Sequence, residues 1–222
     1  MKKFKLSQRG VSLIEILIAL LLSVIVILAM LRAFITTGKV TAESSLGART
    51  DSNIMLGFIA ADRILQGVGF LLDDTSAGYG TNFKVFDQDG VAVNLNQDGK
   101  YLVWKISSLK CQALQSDANG LLFYGHGHGY DCSSGLAKPA NTDVKERLIQ
   151  INSNAISNIS NNNNIGEINL KIKQVNCTPF GVKNDLGAVG KYQAVLTANI
   201  YAGSSNSSAT IISNVTCLYN FK

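Results

Sequence analysis

The stretch Arg9-Gly10-Val11-Ser12-Leu13-Ile14-Glu15 decides how the rest of the chain is read. It joins a basic leader, Met1 to Gly10, to an apolar run that lasts to about Leu31 and, from Ile16 onward, is broken only by Ser23. A single carboxylate, Glu15, stands five residues after Gly10 at the start of that run. An unpaired charge in hydrocarbon is costly. Glu15 therefore meets a positive partner, or the segment is not a simple anchor. From Val11 to Phe34 the chain is long enough to span a bilayer with some tilt.

Two ordinary explanations compete for these residues. A secretory signal peptide is cut after its apolar core at a small-residue site, and Val40-Thr41-Ala42 offers one. The leader would then be about 42 residues long, against a usual length of about 15–30. A plain signal anchor is the other explanation, and it gives Glu15 no role.

The order Gly10, Val11, then Glu15 at the head of an apolar run resembles the prepilin signal of the type IV pilin family. The resemblance implies that a membrane peptidase cuts after Gly10 and that the new N-terminal residue, Val11, is methylated. It further implies that Glu15 is the assembly carboxylate, pairing with the N-terminal amine of a neighbouring subunit. Val11 stands where phenylalanine or methionine is commoner in the family. Farther along, Asp62-Arg63-Ile64-Leu65-Gln66-Gly67-Val68-Gly69-Phe70 resembles the helix end of PilW-like minor pilins.

What the resemblance implies for the whole chain is an α+β fold, a long protruding N-terminal α-helix packed on an antiparallel β-sheet. Residues 1–10 would be the leader peptide and 11–34 the transmembrane and assembly half of the helix. Residues 35–70 would be its amphipathic half, and 71–222 a β-rich head outside the cytoplasm. The implied function is that of a minor pilin, present in low copy and priming pilus assembly for motility, adhesion or DNA uptake. The partners would be the prepilin peptidase, other major and minor pilins, the assembly platform in the inner membrane and, at the tip, an adhesin. A J-type pseudopilin of type II secretion is the alternative, because it uses the same leader. The location would be the bacterial inner membrane, crossed once, and then the fibre at the cell surface.

Composition agrees with translocation. Of the 20 Lys and Arg residues four, Lys2, Lys3, Lys5 and Arg9, lie in the leader, which leaves 16 basic against 15 acidic beyond it. The leader's charge keeps the N-terminus on the cytoplasmic side. The near-neutral remainder offers little long-range attraction to nucleic acid, so no direct nucleic-acid binding is expected. Four cysteines in a translocated domain suggest two disulfides in an oxidising compartment. Three connectivities are open to Cys111, Cys132, Cys177 and Cys217. Pairing Cys177 with Cys217 on neighbouring strands, and Cys111 with Cys132, is the expectation.

Along the chain, Ile54, Phe58, Ala61 and Leu65 recur at helical spacing, with Met55 and Ile59 beside them. A helix from Val11 to about Gln66 would span on the order of 80 Å. Gly38, Gly47 and Gly57 mark places where it could bend or melt, and Gly67 and Gly69 end it. Residues 71–100 read as loop and short strands, with turns at Asp73-Asp74, Asp87-Gln88-Asp89-Gly90 and Asn96-Gln97-Asp98-Gly99. Tyr101 to Ile106 alternates as a half-buried strand with Trp104 in the core. The segment between Cys111 and Cys132 reads as a loop containing Leu121-Leu122-Phe123-Tyr124. Lys145 to Ile151 forms a strand, and 152–164 is an Asn/Ser-rich surface loop. The clearest strands come last, at Ile168–Lys173, Tyr192–Ile200 and Ile211–Tyr219.

Two site chemistries compete with this reading. Asp87 and Asp89 suggest calcium, but an EF-hand loop needs an acid at Val85 and a downstream glutamate, and both are missing. His126 and His128 with Asp131 would make a metal or enzymatic site, short of the usual three or four ligands in a fixed shell. The chain has only these two histidines and shows no nucleophile–base arrangement or nucleotide loop. No enzyme activity, cofactor or metal is expected.

Overall fold

The computed structural model describes residues 12–70, 72, 74–152, 166–179, 189–200 and 210–221. Gly10, Val11, the basic leader, Asp73 and the Asn-rich stretch from 153 to 164 lie outside the described residues. The chain divides into two compact units, Met1–Ser45 and Leu46–Lys222. Among its described residues the first is helix from Leu13 onward.

That helix, α1, runs from Leu13 to Gln66. Its opening turn is closed by the Ser12 carbonyl, which accepts from Glu15 N–H at 3.0 Å and from Ile16 N–H at 3.2 Å. It passes through Gly38, Gly47 and Gly57 without a break. Gly67 continues in turns, and Gly69 has φ +88°, a conformation that glycine adopts without strain. A Cβ at Gly69 would sit 2.8 Å from the Phe221 ring, so the helix exit also needs glycine for space.

In the second unit the helix buries Ile54, Phe58, Ala61 and Leu65, the residues at helical spacing. Met55 and Ile59 lie on the opposite side and stay more than half exposed. The fold is α+β, with the helix against antiparallel strands. The strands divide into two sheets. The larger contains β1 (Phe83–Phe86), β2 (Tyr101–Lys105), β3 (Lys110–Asp117), β4 (Gly120–Tyr124), β5 (Tyr130–Asp131) and β6 (Lys145–Gln150). Its order is β1-β2-β3-β4-β6, with β5 added to β3. The smaller is β7 (Ile168–Cys177), β8 (Gly190–Ile200) and β9 (Thr210–Cys217), in that order.

Where a loop is expected between Cys111 and Cys132, the chain forms the β3–β4 hairpin, with Asp117 opposite Gly120. Strand β4 is buried along its whole length. It lies between β3 and β6, and both faces of the sheet are covered. Leu121 and Phe123 join Leu102, Trp104 and Leu114 beneath the helix. Leu122 and Tyr124 join Val103, Ala113, Tyr130 and the Cys111–Cys132 bridge on the other side. Each of these large apolar side chains stabilises the fold by roughly 1.5–3 kcal/mol relative to exposure.

The two sheets share one core with the helix, to which the smaller sheet contributes Ile168, Leu170, Ile172, Ala194, Leu196 and Ala198. Main-chain bonds also join them. Gly99 and Leu170 exchange N–H···O=C bonds, and Asn96 N–H donates to Ile172 C=O. Asp62 ties the helix to β9 by accepting from the Thr216 hydroxyl, and its other oxygen accepts from Gln66 at 2.7 Å. Asn220 donates to the Val68 carbonyl, and Phe221 packs on Phe83.

The cysteines pair as Cys111–Cys132 and Cys177–Cys217, with Cα separations of 5.8 and 5.7 Å. The second bridge passes over the first residue of β8. A Cβ at Gly190 would meet Cys217 Sγ at 3.0 Å.

Burial of Tyr130, with Asp143 nearby, pushes its phenol well above the usual tyrosine range, and its hydroxyl donates to the Ala137 carbonyl at 2.9 Å. Burial also raises Tyr79, Tyr101 and Tyr124. A phenol with a raised folded-state pKa contributes stability that is fully present below about pH 10 and is lost as pH climbs through the folded value. The head should therefore hold its stability to about pH 10 and lose it progressively above. Chemical denaturation followed across that range checks this. Tyr130→Phe should flatten the alkaline decline, and an unchanged slope would assign it to other groups.

Candidate assembly site on the N-terminal helix

Two features among the described residues define the candidate site: a carboxylate in the first turn of α1 and an apolar surface behind it. Glu15 is exposed and lies in the helix's first turn. There the N-terminal end of the helix dipole favours a negative charge. The apolar run behind it exposes Leu13, Ile14, Leu17, Leu21, Leu28 and Phe34 alike, so no side of the helix is covered within the unit. From Leu13 to Phe34 it rises about 33 Å at 1.5 Å per residue, close to a hydrocarbon core of about 30 Å. Among the described residues this is one helix long and apolar enough to cross a membrane, by length and composition.

Four hydroxyls in this half bond within the helix. Ser23 Oγ donates to the Leu20 carbonyl at 2.8 Å, and Thr36, Thr37 and Thr41 donate to carbonyls four residues back. Such back-bonding lets a hydroxyl sit in an apolar helix without an unmet partner. Val40-Thr41-Ala42 lies inside the continuous helix. Lys39 and Glu43 form an i,i+4 pair at 3.8 Å.

The alternative sites take structural parts. Asp87 Oδ1 accepts from the N–H groups of Asp89 and Val91, at 3.0 and 2.8 Å, which makes that segment a side-chain-capped turn. His126 and His128 stand in the turn between β4 and β5, flanked by Gly125, Gly127 and Gly129 at positive φ. Asp131 caps the next turn by accepting from Ser133 N–H. Among the described residues no group of three His, Cys, Asp or Glu side chains is placed to hold a metal ion. Lys171 pairs with Asp98 at 2.9 Å.

Residues 5–31 match the family model described as the prokaryotic N-terminal methylation motif, the signal of type IV prepilins. No curated protein matches this chain. No solved structure matches it either. The match spans the leader junction, Glu15 and the apolar run together. With the long helix and the antiparallel sheets, it supports a type IV pilin-like protein, a class of structural, membrane-anchored subunits processed by prepilin peptidase.

Proposed function

We propose that this chain is a minor pilin of a type IV pilus. Residues 1–10 are a leader removed after Gly10, and Val11 becomes the methylated N-terminus. Residues 11–34 hold the subunit in the inner membrane until it is assembled, and 35–70 carry the chain into the head formed by 71–222. Glu15 pairs with the N-terminal amine of a neighbouring pilin and sets its axial register. The low-copy subunit joins other minor pilins to prime the fibre near its tip, where an adhesin is a further partner.

The observation that carries this reading is the methylation motif over residues 5–31, placed at the start of a helix whose apolar side chains are exposed all round. A signal followed by an uncovered apolar helix suits a subunit that leaves lipid for a bundle of like helices. The assembly step needs two things from the chain: a carboxylate at the helix start and an apolar surface with no charge behind it through Leu31.

Deleting the gene is expected to remove surface pili seen by electron microscopy while leaving the secreted protein profile unchanged. Normal piliation with failed protein secretion would overturn the minor-pilin reading and assign the chain to type II secretion.

A further inference from the structure

The outer strands of the two sheets are protected unequally. Strand β1 is flanked by Tyr79 and Ala92, with Val93 N–H donating to Val85 C=O. Strand β6 carries Lys145, Glu146 and Arg147, and its pairing with β4 is broken by a register shift. Strand β7 is bonded along its outer side by Asn96 and Gly99. Strand β5 has two residues. These are the usual ways of keeping a sheet edge from pairing with another chain.

Among the described residues strand β9 has none of them. Its sequence, Thr210-Ile211-Ile212-Ser213-Asn214-Val215-Thr216-Cys217, contains no charge and no proline, and it pairs with β8 without a bulge. Leu218 N–H donates to Tyr192 C=O in the same register that sets Ala194 opposite Thr216. Antiparallel pairs alternate between bonded and non-bonded. Ile211, Ser213 and Val215 therefore turn their N–H and C=O groups away from β8. Among the described residues nothing bonds these outward groups. Ile211 and Val215 are also the large apolar side chains left exposed on this strand, at 63% and 53%.

Apart from Ile212, which would stand opposite Asn214, the order of residues along β9 is close to its own reverse about Ser213. An antiparallel copy centred there would set Ser213 opposite Ser213, Ile211 opposite Val215, and Thr210 opposite Thr216. Each outward N–H would meet an outward C=O. On the outer face Val215 is already the cross-strand neighbour of Val195, which is itself buried, and Ile211 of a second copy would extend that apolar row. Small, uncharged residues at the centre place no like charges opposite each other.

We propose that β9 is a strand-addition edge whose partner is β9 of a second copy of this chain, paired antiparallel about Ser213. The inference does not depend on the function proposed above.

All four native cysteines are in disulfides, so a cysteine placed on β9 is the sole free thiol. The full chain in membranes, treated with a short bismaleimide, is the system to use. Ser213→Cys should give a cross-linked dimer. Ile211→Cys alone and Val215→Cys alone should not, because each is offset from itself by four residues, about 13 Å. Mixing those two chains should restore the dimer. Ser213→Lys should convert a dimer to a monomer in detergent, measured by sedimentation. Equal cross-linking of Ile211→Cys, Val215→Cys and Ser213→Cys, no dimer from folded Ser213→Cys, or capture of a different protein would each overturn the pairing.

Discussion

The Glu15→Ala chain is expected to be cut and to stay in the membrane, yet to be missing from the fibre. A charge pair at about 4 Å in an effective dielectric of about 20 is worth roughly 4 kcal/mol. That corresponds to about a thousandfold in an assembly equilibrium. Glu15 is exposed in the first turn, and its own backbone N–H is bonded to Ser12 C=O. That main-chain bond does not depend on the side chain, so its replacement should leave the helix intact. Immunoblots of sheared pili and of membranes check the result. Glu15→Gln, which keeps size and loses charge, should behave like Glu15→Ala. If either variant enters the fibre normally, charge pairing is not what admits the subunit.

The second large effect lies in the head. Gly57→Ala should destabilise it by roughly 1–3 kcal/mol, the usual cost of forcing an extra methyl into a packed interior. Helix propensity alone argues the other way, since alanine is better than glycine by up to about 1 kcal/mol. Space decides the sign. A Cβ at Gly57 would sit 1.9 Å from Ile149 Cγ1 and 3.0 Å from the Leu148 carbonyl oxygen. Ile149 is 1% exposed and has no room to withdraw. Combining Gly57→Ala with Ile149→Ala should cost less than the two single changes added, because the second removes the atom that the first meets. Thermal unfolding of the four chains measures this. A midpoint unchanged by Gly57→Ala alone would mean that helix and β6 are not held this closely.

Gly57 also shows what sequence can and cannot convey. By propensity it reads as a weak point in a long helix. Its role is set by Ile149, distant in sequence, and no local pattern announces that contact. The helix itself was legible, because Ile54, Phe58, Ala61 and Leu65 keep one period over several turns and are the residues buried. Strands β7 and β8 were legible for a similar reason: one face of each is apolar and the other mostly polar.

Strand β4 lacked such a signal. It is covered on both faces, so Leu121-Leu122-Phe123-Tyr124 is apolar without alternation, and a short apolar run carries no period. Asn119-Gly120 at the turn was the clue that could have found the hairpin. Division into two sheets was not legible either. Nor was the pairing of Gly99 with Leu170 that joins them, because those residues are far apart in the chain. At the candidate site Gly10, Val11 and Glu15 lie close together in sequence, so the motif matched over residues 5–31 could be read without any tertiary contact.

The most direct test of the central claim is the intact mass and N-terminal residue of the chain made in cells with and without a prepilin peptidase. The account predicts a chain that begins at Val11, carrying one added methyl group, in the cells with the peptidase alone. A chain beginning at Glu43 in both cells, or an uncut chain in both, would contradict it.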